Sequence, residues 1–185
     1  IMQAFVSAAL DLDQPLPYSA SIVFEQSYCE VDGDSASLAE LCSLVSALAI
    51  QPINQQIAVT GAVDQFGRVQ AVGGINEKIE GFYKVCAFRG LTGHQGVILP
   101  KTNQSNLCLN DEVIEAIKAG KFHLWTVESV DEALPLLTGK AFRGEKDDSE
   151  TLLAKIAQRI DHFHHGDLDS EVSWLARIRN WFVQY

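Results

Sequence analysis

Short strand-like runs alternate with amphipathic helices through the middle of the chain, and this alternation most narrows the choice of fold. Apolar residues spaced three and four apart indicate the helices, and short runs rich in apolar and β-branched residues indicate the strands. The pattern favours a layered α/β or α+β domain, and of the two we predict α+β with mixed α/β layers. The predicted strands are 56–63, 68–72, 95–99 and 122–127, and the predicted helices are 37–49, 76–88, 110–119 and 128–137.

The remaining segments are less regular. We predict an edge strand over residues 1–10, a strand over 18–28, a charged and Gly-containing linker over 140–149, and two C-terminal helices around Leu152–Ile160 and Trp174–Phe182. The domain organisation that follows is one domain over residues 1–140, and a linker with helices over 141–185 that pack on it or on a neighbouring subunit.

Length and composition suit a globular domain with a real core. The chain has 185 residues, of which 47% are hydrophobic. No run has the length of a membrane span, and no signal-peptide pattern opens the chain. The opening residues, Ile1-Met2-Gln3-Ala4-Phe5, read as an internal sequence, so we expect an excised domain of a longer protein.

The charge and the cysteines exclude some classes of function. The net charge is −10 and no basic cluster is present, which disfavours nucleic-acid binding. Four cysteines occur, no two of them in a Cys-x-x-Cys pair, and Cys42 and Cys86 fall on apolar helical faces. We therefore expect no metal site, small buried cysteines, and a reducing, cytoplasmic compartment.

A Gly-bearing turn with a serine opens the first predicted amphipathic helix. It reads Val31-Asp32-Gly33-Asp34-Ser35-Ala36-Ser37. A hydroxyl at a helix N-terminus lies near free backbone N–H groups and the positive end of the helix dipole, which could stabilise an oxyanion. The same position is also typical of an ordinary helix cap. Ser37 with Glu40 matches the capping-box pattern, so we assign the cap to Ser37.

A nucleophilic serine needs a group that accepts its proton. Among the histidines, His123 falls in an apolar strand, where a structural role is the default. His162, His164 and His165 cluster beside Asp161, and this cluster reads either as a solvated segment or as a metal site without further ligands.

Lys78 is the other candidate base. It lies at the margin of the apolar stripe formed by Ile79, Phe82 and Cys86. Loss of hydration at such a margin would disfavour the ammonium form, as a lysine base requires. The alternative is a surface lysine whose stem covers apolar neighbours.

Three segments follow one another along the chain: Gly33-Asp34-Ser35-Ala36-Ser37, Val59-Thr60-Gly61, and Gly73 to Lys78, which reads Gly-Gly-x-x-x-Lys. Together they resemble the proteolytic domain of the Lon proteases, peptidase family S16, in the archaeal-type, Lon-B-like and Lon-related branch. Ser35 and Lys78 lie 43 residues apart, and the resemblance covers roughly residues 20–140. Order and separation together make the signal specific, although each segment alone would be weak.

The resemblance implies the Lon proteolytic-domain fold, related to the ribosomal protein S5 domain 2-like fold, with a C-terminal helical appendage. It implies a Ser–Lys dyad in which Ser35 is the nucleophile and Lys78 the general base. Thr60 would orient the lysine, and Gly33, Asp34 and Ala36 would form the nucleophile's loop. For Asp32 we hypothesise an ion pair with Lys78 that closes the site and opens on activation.

The family also implies partners outside this chain. Its proteolytic domains follow an ATPase domain and form rings, usually of six subunits, that degrade unfolded polypeptides. The chain has no Gly-x-x-x-x-Gly-Lys-Ser/Thr loop, so we expect ATP and Mg²⁺ to be used by an ATPase domain elsewhere, and no cofactor here.

The sequence departs from the common bacterial branch of the family. That branch has Pro before the nucleophile and Gly two residues after it, whereas Asp34 and Ser37 stand there in this chain. The preceding strand also lacks that branch's histidines.

Two other interpretations stay open. Gly33-Asp34-Ser35 also opens the signature of GDS-type esterases, with Asp161 and His164 at the spacing of their Asp-x-x-His pair. In the other interpretation, the domain is a catalytically silent ring-forming module and Ser35 is only a cap.

Overall fold

The computed structural model describes residues 2–11, 20–23, 33–144 and 149–161. In chain order the elements are α1 (Met2–Ala9), α2 (Ser37–Ala49), β1 (Ile57–Val59), β2 (Ala62–Val63), β3 (Val69–Gln70), α3 (Ile75–Arg89), β4 (Gly96–Pro100), a 3₁₀ helix (Lys101–Asn106), α4 (Asp111–Lys118), β5 (His123–Val127), α5 (Val130–Thr138) and α6 (152–161).

The central sheet is parallel and has the strand order β1-β4-β5. Ala58 pairs with Val97, and Ile98 pairs with Trp125. The close approach of β5 requires Gly96, because a Cβ there would lie 2.3 Å from the His123 carbonyl oxygen. Strands β2 and β3 form a separate antiparallel hairpin. Mixed helix and sheet confirm the α+β class.

Helices cover both faces of the sheet. Neighbouring residues of a strand point to opposite faces, and in β4 Ile98 belongs to one core cluster whereas Val97 and Leu99 belong to the other. The Ile98 cluster includes buried residues of α1, α2, α5 and α6, and the Val97 cluster includes those of α3 and α4. The molecule is therefore built in three layers, with α2 and α3 on opposite sides of the sheet.

Most helices agree with the sequence prediction, and their ends have the expected chemistry. Helix α2 has the predicted bounds, and α3 differs from its predicted bounds by one residue at each end. The Asn110 side chain accepts a hydrogen bond from the Val113 N–H and so caps α4. The Ser129 side chain does the same for Glu132 at the start of α5.

The N-terminal prediction of an edge strand is wrong, because residues Met2–Ala9 form α1. Met2, Phe5, Val6 and Ala9 follow a helical spacing, and Phe5 and Val6 are buried against the core. In a run of this length apolar character alone does not separate a strand from a buried helix.

The strand predicted over residues 56–63 is two strands. Thr60 and Gly61 interrupt it, so that β1 belongs to the parallel sheet and β2 to the hairpin. The Thr60 N–H still donates a hydrogen bond to the Ile98 carbonyl oxygen at 3.0 Å. The chain therefore leaves the sheet at the residue that the resemblance assigns to the site.

The C-terminal segment contributes to the same core. Phe142, within the predicted linker, is buried and its ring stacks on Phe5 with centroids 5.6 Å apart. Leu152, Ile156 and Ile160 of α6 are also buried in the cluster that contains α2. Residues 141–161, where described, thus pack on the main domain.

Some predictions lie largely outside the described residues. Of the strand predicted over 18–28 only residues 20–23 are described, and they have no regular structure; the helix around Trp174–Phe182 is not described. Among the helices that are described, none combines the length and apolar character needed to cross a membrane.

Candidate active site

Ser35 lies on the turn that leads into α2. Gly33 has a φ of 88°, a left-handed conformation that glycine adopts without strain. Gly33 and Asp34 are exposed, whereas Ser35 and Ala36 are half-buried. The turn therefore presents the Ser35 side chain at the start of a helix whose other face is buried in the core.

Three hydrogen bonds join this turn to the chain between β1 and β2. The Ser35 carbonyl oxygen accepts from the Gly61 N–H at 2.9 Å and from the Thr60 Oγ1 hydroxyl at 3.4 Å. The Leu38 N–H donates to the Gly61 carbonyl oxygen at 3.1 Å. These contacts fix the backbone of Ser35 against Thr60.

Gly61 leaves little room for a side chain where it meets the Ser35 turn. A Cβ there would lie 3.0 Å from Leu38 Cδ2 and 3.1 Å from Val69 Cγ1. Both side chains are buried, so neither has free space to move into. Gly61 is a residue of the site that sequence reasoning cited only as part of the Thr-Gly pattern, without predicting this contact.

The predicted capping box at Ser37 and Glu40 is wrong. Ser37 is the first helical residue, the cap position is Ala36, and no side chain caps α2. The Ser37 hydroxyl instead accepts a hydrogen bond from the Val63 N–H at 2.9 Å. A tertiary contact has replaced the local one, because β2 supplies a backbone donor that would otherwise be buried without a partner.

Lys78 lies in the first turns of α3, on the opposite side of the sheet from α2. Its side chain is exposed, whereas its neighbour Ile79 is fully buried. Lys78 therefore lies on the exposed side of α3, as expected for the surface lysine of the alternative interpretation.

One cavity of about 260 Å³ brings the three segments of the resemblance together. Ser35, Thr60 and Lys78 all line it. Ala58 and Val59 also line it although they point to opposite faces of β1, so the cavity lies at β1 and reaches residues on both faces of the sheet. The remaining lining residues are small and aliphatic: Ala36, Ala39 and Val97. Ala36 belongs to the predicted loop around Ser35, whereas sequence reasoning missed Ala39 and Val97, since their types signal only a core.

Ser35 and Lys78 are not hydrogen-bonded to each other. Across the described ranges, the Ser35 hydroxyl and the Lys78 ammonium have no hydrogen-bond or ion-pair partner. Catalytic hydrogen bonds are often long in substrate-free structures and shorten when substrate binds, so this geometry leaves a proton transfer between them open.

The Thr60 hydroxyl can hydrogen-bond with both the Ser35 backbone and the Lys78 side chain. It donates its hydrogen to the Ser35 carbonyl oxygen, and a hydroxyl oxygen keeps lone pairs that accept hydrogen bonds. A lysine ammonium is a donor only. Thr60 is buried at 7% exposure, so its hydroxyl has a fixed place beside the cavity.

Backbone donors are available next to the Ser35 hydroxyl. The N–H groups of Ser37 and Leu38 donate to backbone oxygens, whereas those of Ser35 and Ala36 have no hydrogen-bond acceptor in the part of the chain that is described. Two successive N–H groups at a helix start can hold a developing oxyanion.

Other predicted site residues lie elsewhere or outside the described ranges. Asp32 and His164 are not described, so the ion pair proposed for Asp32 and the Asp161–His164 pair of the esterase interpretation stay predictions. His123 Nε2 lies 2.8 Å from the Gly93 carbonyl oxygen and its ring stacks on Trp125, which confirms a structural role. No cluster of potential metal ligands occurs among the described residues.

Comparison with known families finds a family model that matches more than half of the chain. A family model described as the Lon protease (S16) C-terminal proteolytic domain matches residues 23–139. The chain belongs to this family. The match includes all three segments that line the cavity, and it ends at Gly139, which closes α5.

Relatives in bacteria and archaea carry Lon names. A Lon protease homolog of Escherichia coli (strain K12) is 52% identical over 183 residues, which is 99% of this chain and 31% of that protein. A Lon protease homolog of Haemophilus influenzae is 51% identical over 171 residues, or 92% of this chain and 28% of that protein. An archaeal Lon protease of Methanocaldococcus jannaschii is 36% identical over 123 residues, or 66% of this chain and 16% of that protein.

The chain therefore spans less than a third of the length of these relatives. The E. coli match extends well beyond residue 139, over the segment that contains α6, whereas the family model does not. In this Lon domain α6 and Phe142 pack into the core, so the folded unit is larger than the segment that the family model matches.

Proposed function

We propose that this Lon domain is a serine endopeptidase that uses a dyad of Ser35 and Lys78. The observation that carries the proposal is the single cavity that Ser35, Thr60 and Lys78 line, although they come from separate segments on both sides of the sheet. A helix cap at Ser35 would require neither of the other two residues.

The reaction would proceed by acyl transfer. The neutral Lys78 amine accepts the proton of the Ser35 hydroxyl as Ser35 Oγ attacks the carbonyl carbon of the scissile peptide bond. The N–H groups of Ser35 and Ala36 then stabilise the negative charge on the carbonyl oxygen. Lys78 returns the proton to the leaving amine, and water hydrolyses the acyl-enzyme by the reverse use of the same groups.

Thr60 would hold the lysine in position for both proton transfers. Its oxygen accepts a hydrogen bond from the Lys78 side chain while its hydrogen stays on the Ser35 carbonyl oxygen. A lysine has four rotatable bonds, and correct orientation is worth a large part of the barrier in such reactions. Asp32 would pair with Lys78 in a resting state and release it on activation.

The wider function proposed is ATP-dependent degradation of unfolded polypeptides in the cytoplasm. It rests on the Lon names of relatives that are more than three times as long as this chain. ATP and Mg²⁺ would be used by an ATPase domain of the same polypeptide, and the proteolytic domain itself would need no cofactor. The active form would be a homo-oligomeric ring, with six subunits as the expected number. The proteolytic domain itself would bind neither nucleic acid nor membrane.

A casein degradation assay of the full-length protein, with and without ATP, tests the activity. We expect ATP-stimulated cleavage in the wild type and in Lys84→Ala, whose lysine is exposed on the same helix as Lys78. We expect loss of at least about a thousandfold in Ser35→Ala and Lys78→Ala, as for removal of triad members. A fully active Lys78→Ala variant would contradict the dyad.

One observation favours the interpretation as a catalytically silent module: Ser35 and Lys78 are not hydrogen-bonded to each other. Labelling of the full-length protein with an alkyl fluorophosphonate separates it from the protease. An adduct on Ser35 supports the protease, and no adduct on the assembled protein supports the silent module. Loss of the adduct in His164→Ala but not in Lys78→Ala would favour the esterase.

A further inference from the structure

A buried asparagine holds the segment that leads into α3. Asn103, in the 3₁₀ helix after β4, is only 4% exposed. Its Oδ1 accepts from the Val72 N–H at 2.9 Å, and its Nδ2 donates to the Val72 carbonyl oxygen at 3.0 Å. One side chain thus satisfies both backbone groups of Val72, as a neighbouring strand would.

Further hydrogen bonds fix the first turns of α3 to the same stretch of chain. Asn76 Nδ2 donates to the Asn106 carbonyl oxygen at 3.0 Å, and Asn76 Oδ1 accepts from the Cys108 N–H at 2.8 Å. Glu80 Oε1 accepts from the Asn110 N–H at 2.9 Å. We call this set of contacts, together with the Asn103–Val72 pair, the α3 brace.

The α3 brace surrounds Lys78. Asn76 precedes Lys78 by two residues and Glu80 follows it by two, while Val72 lies just before the helix. The Lys78 ammonium itself has no partner in the described ranges, so the placement of α3 decides where the lysine side chain begins.

Strand β4, which leads into the 3₁₀ helix that carries Asn103, also reaches the part of the site that contains Ser35. Strand β4 precedes the 3₁₀ helix directly, Val97 of β4 lines the cavity, and the Ile98 carbonyl oxygen accepts from the Thr60 N–H. Thr60 in turn contacts Ser35. Strand β4 and the 3₁₀ helix therefore connect Thr60 to the start of the helix that carries Lys78.

We propose that Asn103 is a positioning residue that aims Lys78 at Ser35 by holding Val72 and the start of α3. This inference rests on the proposed Ser–Lys dyad. Removal of the Asn103 amide leaves two backbone groups of Val72 without their partner, and the start of α3 then shifts to let water satisfy them. A displacement of about 1 Å at a reacting group costs up to about a hundredfold in rate.

The test is the rate at which an alkyl fluorophosphonate labels Ser35 in the full-length protein. In this reaction Ser35 Oγ bonds to phosphorus, fluoride leaves, and the serine proton passes to the base. We expect Asn103→Ala to label about 10- to 100-fold more slowly than wild type but to reach the same final stoichiometry. Gln104→Ala is the control, since Gln104 is exposed on the same 3₁₀ helix and its side chain is not part of the α3 brace, and it should label within twofold of wild type.

A double-mutant cycle separates positioning from a merely structural role. If Asn103 acts through Lys78, adding Asn103→Ala to Lys78→Ala causes no further loss, because residues that act as one unit are non-additive. Losses that multiply, a lower final stoichiometry, or a single variant within twofold of wild type would overturn the inference. Should Asn103→Ala fail to fold, Asn76→Ala provides the same cycle from the helix side of the brace.

The cycle also distinguishes failure of this inference from failure of the dyad. If Lys78→Ala labels as fast as wild type, the dyad itself is wrong. If Lys78→Ala is slow and the brace variants are fast, the dyad stands and the positioning role is wrong.

Discussion

The Arg159 guanidinium donates a hydrogen bond to the Ala47 carbonyl oxygen at 2.6 Å, at the opposite end of α2 from Ser35. The same nitrogen lies 3.2 Å from the Leu48 carbonyl oxygen. The last carbonyl groups of a helix lack partners within the helix and carry the negative end of its dipole, so a cation there is stabilising. A residue of α6 therefore holds the helix that starts beside Ser35.

Replacement of this arginine should destabilise the domain. We expect Arg159→Ala to lower the free energy of unfolding by roughly 1–3 kcal/mol, because hydrogen bonds from a charged donor are lost. Urea denaturation measures the change. Arg89→Ala, at the exposed end of α3, is the control and should stay within about 0.5 kcal/mol of wild type.

The buried face of α6 should contribute more to the stability of the domain than the hydrogen bonds of Arg159. Ile156 is 1% exposed within the cluster that contains α2, so Ile156→Ala should cost about 2–5 kcal/mol of unfolding free energy. Gln158→Ala, on the exposed side of α6, should be nearly neutral in the same denaturation experiment. Equal effects of the two substitutions would show that α6 does not belong to the folded unit.

The sequence predicts the helices well because each has a long apolar stripe and, for α4 and α5, an ordinary cap. It fails for α1, whose eight residues are too few to distinguish a helix from a strand. It also fails at Thr60, where the chain leaves one sheet for another, because β-branched residues on both sides predict one continuous strand.

The sequence likewise predicts only part of the candidate site. The order of Ser35, Thr60 and Lys78 can be read from the sequence as a family resemblance, and the structure brings all three to one cavity. The capping box fails, since the hydrogen bond from Val63 to Ser37 depends on tertiary structure. Asn103 gives no signal in the sequence, because a polar residue after a strand is usually an exposed turn residue.

Two glycines should respond to alanine in opposite ways. At Gly61 the new Cβ would press on buried Leu38, so Gly61→Ala should destabilise the domain by roughly 1–3 kcal/mol and reduce Ser35 labelling. At Gly81, inside α3, the new Cβ would meet no atom within 4 Å. Gly81→Ala should therefore stabilise by about 0.5–1 kcal/mol. Thermal denaturation measures both, and a neutral Gly61→Ala would contradict the tight contact.

The cysteines should differ in reactivity with iodoacetamide at pH 8. Burial raises the pKa of the Cys42 thiol from 9.0 to about 12, whereas Cys108 is exposed. The thiolate is the reactive form, so Cys108 should be alkylated in the folded protein and Cys42 only after unfolding. Peptide mass spectrometry identifies which cysteine is alkylated.

The same raised pKa makes the stability of the domain depend on pH. Between pH 9 and about 12 the Cys42 thiol keeps its proton in the native state and loses it in the unfolded state, so the contribution of Cys42 to stability falls as the pH rises through this range.

Thr60 should prove necessary for the rate and dispensable for the fold. Thr60→Val keeps the shape of the side chain and removes only the hydroxyl, so we expect a change in unfolding free energy of about 1 kcal/mol. The same substitution should lower kcat of peptide cleavage roughly ten- to a hundredfold with KM unchanged, because it removes the oxygen proposed to accept from Lys78 and removes no substrate contact.

Two further variants serve as controls for Thr60→Val. Thr60→Ser restores a hydroxyl at the same position and should recover most of kcat. Thr92→Val removes a hydroxyl that donates to Gln95 in an exposed loop, and kcat should not change. If Thr60→Val cleaves within twofold of wild type, the Thr60 hydroxyl only joins its segment to the Ser35 turn, and the orientation of Lys78 depends on the α3 brace alone.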